Sequence, residues 1–177
     1  MTCQVSMIFA SDKNSGIGLN NKLPWDSIPE DMEWFKQCTM GKTVVMGRKT
    51  WESLPERFRP LPGRTNVVLT SNTDNFIDAI VSPSIGAVLE RFKDEKEIVV
   101  IGGGEVYKSF APYVTRVYQT NILDKHRVDV RMEVECDDWD LIYFDARKGQ
   151  DGPIFQIFEK IDGNEELIIS VENILPL

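Results

Sequence analysis

The sequence has a single histidine, His126, and three cysteines, Cys3, Cys38 and Cys136, odd in number and far apart. No C-x-x-C occurs, so neither a zinc cluster nor a disulfide framework is expected, and no metal site is predicted. Reduced thiols suit a cytosol-like compartment, so a cytoplasmic location is expected. A Ser-His-Asp or Cys-His mechanism would have to use His126, which sits in the charged stretch "LDKHRVD", a poor setting for it. Positive charge is short as well, with 20 Lys+Arg against 28 Asp+Glu and a net charge of -8. That balance argues against broad nucleic-acid or anionic-membrane binding, and any anionic ligand needs a local basic patch. Long apolar runs are missing, so no membrane span is expected. The start, "MTCQVSMIFASD", lacks the basic stretch of a signal peptide.

What is present reads as one ordinary globular domain, 1–177, with 42% hydrophobic and 27% charged residues. Buried strands are predicted at 4–10, 42–47, 64–71 and 97–104, with a weaker one at 78–82. Helices are predicted at about 29–38, 48–54, 84–94 and 104–112. Residues 11–27 show no periodicity and read as a long loop of the kind that carries function. Later strands at 115–122, 139–146, 153–161 and 167–174 follow one another, and "DGNEE" carries a turn signal before the last. Strand–helix alternation early and strands alone late predict an α/β fold. It has a single mixed, mostly parallel sheet flanked by helices, with C-terminal antiparallel strands.

The stretch "KLPWDSIPEDMEWFKQC" reads as a loop entering an amphipathic helix. Ser27 and Glu30 have capping-box spacing, and Pro29 fits the first turn. Asp31, Phe35 and Cys38 then share one face. Asp31 either favours the positive helix end, a task Glu30 can perform from the wet face, or is a buried acid held for chemistry or a cationic ligand.

Two strand-to-helix junctions stand out. In "VVMGRKT" a strand ends at Gly47, and Arg48, Lys49 and Thr50 open a helix, where cations are poorly placed unless an anion offsets them. The alternative is a pair of solvated cations. In "VVIGGGEVY" three glycines follow a strand, which suits either a tight packing turn or a pyrophosphate resting on backbone N–H groups. The pattern is neither G-x-G-x-x-G nor a P-loop. Together the junctions suggest a phosphorylated dinucleotide. Arg64, in "PLPGRTNVVL", is a surface arginine or a clamp for a substrate carboxylate.

These pieces, in this order, resemble the dihydrofolate reductase family. The matching stretches are "GIGLNNKLPW", "DMEWFK", "VVMGRKTWESLP", "LPGRTNVVLT", "IVVIGGGEVY" and "VYQTNI". They span roughly 4–160, which leaves about 162–177 as a C-terminal extension beyond the core of about 4–161. The resemblance implies NADPH-dependent reduction of 7,8-dihydrofolate to 5,6,7,8-tetrahydrofolate, in support of one-carbon metabolism. It implies that Asp31 pairs with the 2-amino group and N3 of the pterin, supported by Thr120 and Trp25. Pocket walls carry over to Ile8, Phe9, Met32, Phe35, Leu54, Leu61, Ile101 and Tyr107, and the carboxylate clamp to Arg64. Nicotinamide-side contacts carry over to Ala10, Ile17, Gly18 and Leu19. Adenosine and phosphate contacts carry over to Gly47, Arg48, Lys49, Thr50, Leu69, Thr70 and Ser71, and the pyrophosphate turn to Gly102, Gly103, Gly104, Glu105 and Val106. The family has a cis Gly-Gly peptide at that turn. Implied partners are dihydrofolate and antifolate inhibitors, not nucleic acid or membrane, and a monomer is expected rather than a homodimer.

In the stretch "VDVRMEV" the residues after Asp129 depart from the family, which usually has Thr and then an aromatic–Pro pair there. The extension is expected to be an added strand rather than an oligomer contact. A riboflavin-type reductase on the same fold would keep the NADP site but not need Asp31 and Arg64 together. A binding module without turnover would keep only the cofactor.

Overall fold

The computed structural model describes residues 2–72, 76–146 and 151–175. Its centre is an eight-stranded sheet in the order β5-β4-β3-β6-β1-β7-β10-β9. The parallel strands are β1 (Gln4–Ser11), β3 (Thr43–Gly47), β4 (Thr65–Leu69), β5 (Ile80–Ser82), β6 (Glu97–Gly102) and β7 (Arg116–Asn121). β9 (Asp140–Ala146) and β10 (Ile154–Glu159) close one edge in antiparallel fashion. The apolar runs behave as buried parallel strands should. β3 and β6, for instance, are buried at every residue.

Alternation along the strands sends side chains into two cores. Val5, Met7 and Phe9 of β1 join Val45, Val100 and Val117 on one face. Ile8, Val44, Met46, Val99, Ile101 and Tyr118 meet Trp34 and Phe155 on the other. The helices are α1 (Pro29–Thr39), α2 (Arg48–Ser53), α3 (Ile85–Arg91) and α4 (Gly104–Phe110). α1 is held to the sheet by Trp34, which stacks on Tyr143 at 5.3 Å and lies 5.0 Å from Phe155.

Three local expectations change. Pro29 opens α1, but the cap residue is Ile28 with no side-chain bond, and the Ser27 hydroxyl turns instead to the Met32 sulfur at 2.8 Å. The capping box is therefore not formed. Residues 11–27 are not a structureless loop either. β2 (Gly16–Gly18) lies within them and pairs with β8 (Val130–Glu135), a strand absent from the expectations above although apolar and charged residues alternate in its "VRMEVE". Finally, the turn after β10 does not close a hairpin. β11 (Ile168–Asn173) crosses to β8 and forms a second, three-stranded sheet in the order β11-β8-β2. The extension is an added strand, as expected, but in this second sheet.

Among the described residues no helix is long and apolar enough to cross a membrane, and no group of three His, Cys, Asp or Glu could hold a metal ion.

Candidate active site

Open α/β sheets bind ligands outside the carboxyl ends of their strands, where the strand order reverses. Here the reversal falls between β3 and β6. After β3 the chain steps outward to β4 and β5, and then returns to lay β6 between β3 and β1. The register aligns Gly47 with Leu69, and Met46 with Gly102. The ends of β4, β3 and β6 therefore lie side by side. Residues 69–71, 47–50 and 102–106, distant in sequence, share one edge of the sheet. Ala10 and Thr120 are paired on the next two strands, β1 and β7.

The glycine turn exposes bare backbone. The Gly102–Gly103 peptide is cis, and Gly102 has φ +135, a region closed to most side chains. A Cβ on Gly102 would stand 3.2 Å from the Thr50 hydroxyl, and one on Gly47 would stand 3.0 Å from Val106. Arg48 and Lys49 are exposed beside this cradle. A phosphorylated dinucleotide fits these residues: backbone without side chains for the pyrophosphate, two cations for a further phosphate. Arg48 donates to both oxygens of Glu52, at 2.8 and 2.9 Å. That exposed i,i+4 pair is worth only about 0.3–0.5 kcal/mol, too little to hold Arg48 against a stronger anion.

Asp31 lies in the first turn of α1, partly buried, and the Thr120 hydroxyl bonds its carboxylate. Burial raises the Asp31 pKa above the ordinary range, and the Thr120 bond lowers it in part. Ile8, Leu61 and Ile101 are buried in the core cluster on the α1 face, with Phe35 and Leu54 packed against it. Met32 is 55% exposed. Phe9 departs from expectation. Strand alternation turns its ring into the opposite core, edge-on to Tyr107 at 6.2 Å and away from the α1 face. Tyr107 lies in that same opposite core, but its hydroxyl crosses to donate to the Ile8 carbonyl at 2.7 Å.

Arg64 is half-buried, and burial lowers its pKa from the usual arginine value. It donates to the Pro62 carbonyl at 2.9 Å and to the Thr39 hydroxyl at 3.2 Å. Among the described residues no carboxylate lies within ion-pair distance of it. Thr39 ends α1 and Asp31 begins it. The two charges therefore bracket the helix, separated by an axial rise of about 12 Å.

Trp25 is buried and meets His126 edge-on at 5.5 Å. Sequence reasoning missed the residue that holds this region, Asp12. Its buried carboxylate accepts N–H bonds from Asn14 at 2.9 Å, Gly16 at 2.8 Å and His126 at 2.8 Å. The run Asp12-Lys13-Asn14-Ser15-Gly16 carries an Asx-turn signal that points to this anchor. The His126 backbone thus braces this segment, with its imidazole Nδ1 3.6 Å from the Asp12 carboxylate. Ile17 packs against the first core cluster, and Gly18 and Leu19 are half-buried beside it.

A dihydrofolate reductase family model matches residues 4–158. The chain belongs to the dihydrofolate reductase family. The dihydrofolate reductase of Haemophilus influenzae is 36% identical over 147 residues, 82% of this chain and 89% of that one. That of Bacillus subtilis is 40% identical over 140 residues, 78% and 81% of the two chains. A solved dihydrofolate reductase from Enterococcus faecalis, complexed with NADP(H) and RAB-propyl, superposes with a TM-score of 0.78 at 30% identity, covering 92% of this chain and 100% of that one. The mixed, mostly parallel sheet is that of a dihydrofolate reductase.

Proposed function

We infer that the chain reduces 7,8-dihydrofolate to 5,6,7,8-tetrahydrofolate at the expense of NADPH, with Asp31 and Arg64 as the two ends of the substrate site. The observation that carries the assignment of residues is the bracketed helix: a partly buried carboxylate at one end of α1 and, at the other, an arginine with no carboxylate in ion-pair distance among the described residues. A substrate with an amidine-like head and a carboxylate tail answers both.

Asp31 accepts hydrogen bonds from the pterin 2-amino group and N3–H, which fixes the ring. Thr120 holds the carboxylate in place through its hydroxyl. The negative charge favours protonation of N5, so that the N5=C6 bond becomes iminium-like and accepts hydride at C6. Bound NADPH supplies that hydride. Ile8, Ile101, Phe35 and Leu54 exclude water from the ring, and Arg64 takes the α-carboxylate. Cationic antifolates meet the same Asp31.

Binding of dihydrofolate and of dihydropteroate, which lacks the glutamate, tests the assignment. Arg64→Ala should weaken dihydrofolate by about 10- to 150-fold, the worth of charge-assisted bonds, and leave dihydropteroate within about twofold. Equal loss of both ligands would remove Arg64 from carboxylate recognition. On the cofactor side, Arg48→Ala should weaken NADPH at least about tenfold more than NADH in equilibrium titrations. Parallel loss of the two would mean that Arg48 does not read the phosphate.

A further inference from the structure

β11 lies beyond the part of the chain that the family model matches, yet it touches both halves of the cofactor side. It pairs with β8 along its whole length, from Ile168 opposite Glu135 to Asn173 opposite Val130. β8 in turn carries β2, where Ile17 and Gly18 stand. The junction is dense in backbone bonds: Asp129 N–H to the Gly18 carbonyl at 2.9 Å, Met132 N–H to the Ser15 carbonyl at 2.8 Å, and Ile174 N–H to the Asp129 carbonyl at 2.8 Å. The Asp129 carboxylate accepts from Asn20 N–H at 2.8 Å.

The inward face of β11 meets the glycine turn. A Cβ built on Gly104 would fall 2.9 Å from Val171 Cγ1, 3.5 Å from Val171 Cγ2 and 3.8 Å from Ile17 Cδ1. Val171 therefore fills the notch that Gly104 leaves open, and Ile17 closes on the same point. Leu167 and Ile169 seat the strand in the first core cluster. The Trp139 indole donates to the Glu165 carbonyl at 3.0 Å and pins its approach.

We propose that β11 is a positioning element for the cofactor side of the site: through Val171 against Gly104, and through β8 to β2, it sets the glycine turn and the 16–20 loop in one shared geometry. A shift of the turn is then felt by the loop, because Ile17 abuts the same point and one strand ties both together. The proposal rests on the cofactor reading above. Val171 touches neither substrate nor reacting atoms, so its role is indirect.

A steric cycle on the full chain tests it. Gly104 has helical backbone, so Gly104→Ala meets no strain of its own except the clash with Val171. NADPH binding is read by fluorescence, dihydrofolate binding in parallel, and loop order by amide exchange of the ligand-free protein. Gly104→Ala should weaken NADPH by at least about fivefold, keep dihydrofolate within about twofold, and speed exchange across 16–20. Gly104→Ala with Val171→Ala, which removes both Cγ atoms, should bind NADPH more tightly than Gly104→Ala alone. Strictly additive losses, or faster exchange confined to β11 and α4, would overturn the proposal. If Gly104→Ala does not fold, Val171→Ala decides alone: exchange at 16–20 faster by about fivefold, restored by the β-branched Val171→Thr, supports it, and unchanged exchange overturns it. A wild-type chain that binds no NADPH would sink the cofactor reading instead, while the exchange arm still reports on the coupling.

Discussion

Asp31→Asn should lower hydride transfer by at least about 10²-fold at neutral pH while NADPH still binds. Asn keeps the size of the side chain and a hydrogen bond to Thr120, but loses the charge. It can pair with only part of the pterin's donor edge, and it no longer favours a proton at N5. A loss of about 10² corresponds to about 2.7 kcal/mol, the scale of a charge-assisted contact made in the transition state. Single-turnover absorbance separates this from slow product release. Near-normal transfer in the variant would exclude Asp31 from the mechanism.

The same substitution should stabilise the ligand-free fold, and the sign follows from the burial. Because burial raises the Asp31 pKa, the folded state holds a proton that the unfolded state has already released. Stability contributed by that group is present below the ordinary carboxyl value and is lost as pH rises through the folded one. At neutral pH the buried charge is a full cost, which Asn removes. Urea midpoints should therefore favour Asp31→Asn at about pH 7, and the gap should close toward about pH 3. A site that gives up stability for charge is the expected pattern for a catalytic carboxylate.

Glu97→Ala should have the largest effect on stability, about 3–5 kcal/mol. Glu97 opens β6 and is 9% exposed. Ser6 and Tyr118 each donate to its Oε1 at 2.7 Å, and the Lys42 ammonium lies 2.6 Å from Oε2. Arg116 stands 3.9 Å away and is itself paired with Glu159. One carboxylate thus ties together β1, β6, β7 and the lysine that leads into β3. Burial pushes its pKa up, but the bonds from Lys42, Ser6 and Tyr118, with the Lys42 charge, bring it below the ordinary value. Burial and the neighbouring Glu97 push the Tyr118 hydroxyl well above its ordinary range. Truncation leaves a buried Ser6 hydroxyl and a tyrosine hydroxyl without their acceptor. Lys42 is partly exposed and can turn to water, which places the cost near the lower figure. The contribution of Glu97 is present above the ordinary carboxyl value and fades as pH falls through its depressed one. The cluster lies at the opposite end of the strands from the site, so turnover of the folded variant should stay within about twofold. A urea shift under about 1 kcal/mol would show that water replaces these bonds at little cost.

Much of this was legible in the residues. The parallel strands announced themselves as short apolar runs, and α1 as a periodic face with an acid on it. Arg48 and the glycine turn were visible as separate junctions. That they share one edge was not, because strand order is a property of long-range pairing and no local pattern states that β6 inserts between β3 and β1. The capping box failed because Ser27 and Glu30 have the right spacing but Ile28, not Ser27, takes the cap position. Phe9 was misplaced because alternation separates Ile8 from its neighbour, and a resemblance in sequence does not carry side-chain direction. The second sheet escaped because β2 and β8 are short or charged, and because β11 pairs with a strand more than thirty residues upstream, Ile168 with Glu135, rather than with the one just before it. The cis bond between Gly102 and Gly103 has no local signal beyond the glycines themselves.

The central claim is the reaction itself, and one measurement addresses it most directly. Absorbance at the NADPH band is followed for the purified chain with 7,8-dihydrofolate, with NADH run in parallel. Rapid loss of signal that requires dihydrofolate and strongly prefers NADPH is the predicted result. No loss under those conditions, with NADPH still bound, would contradict it.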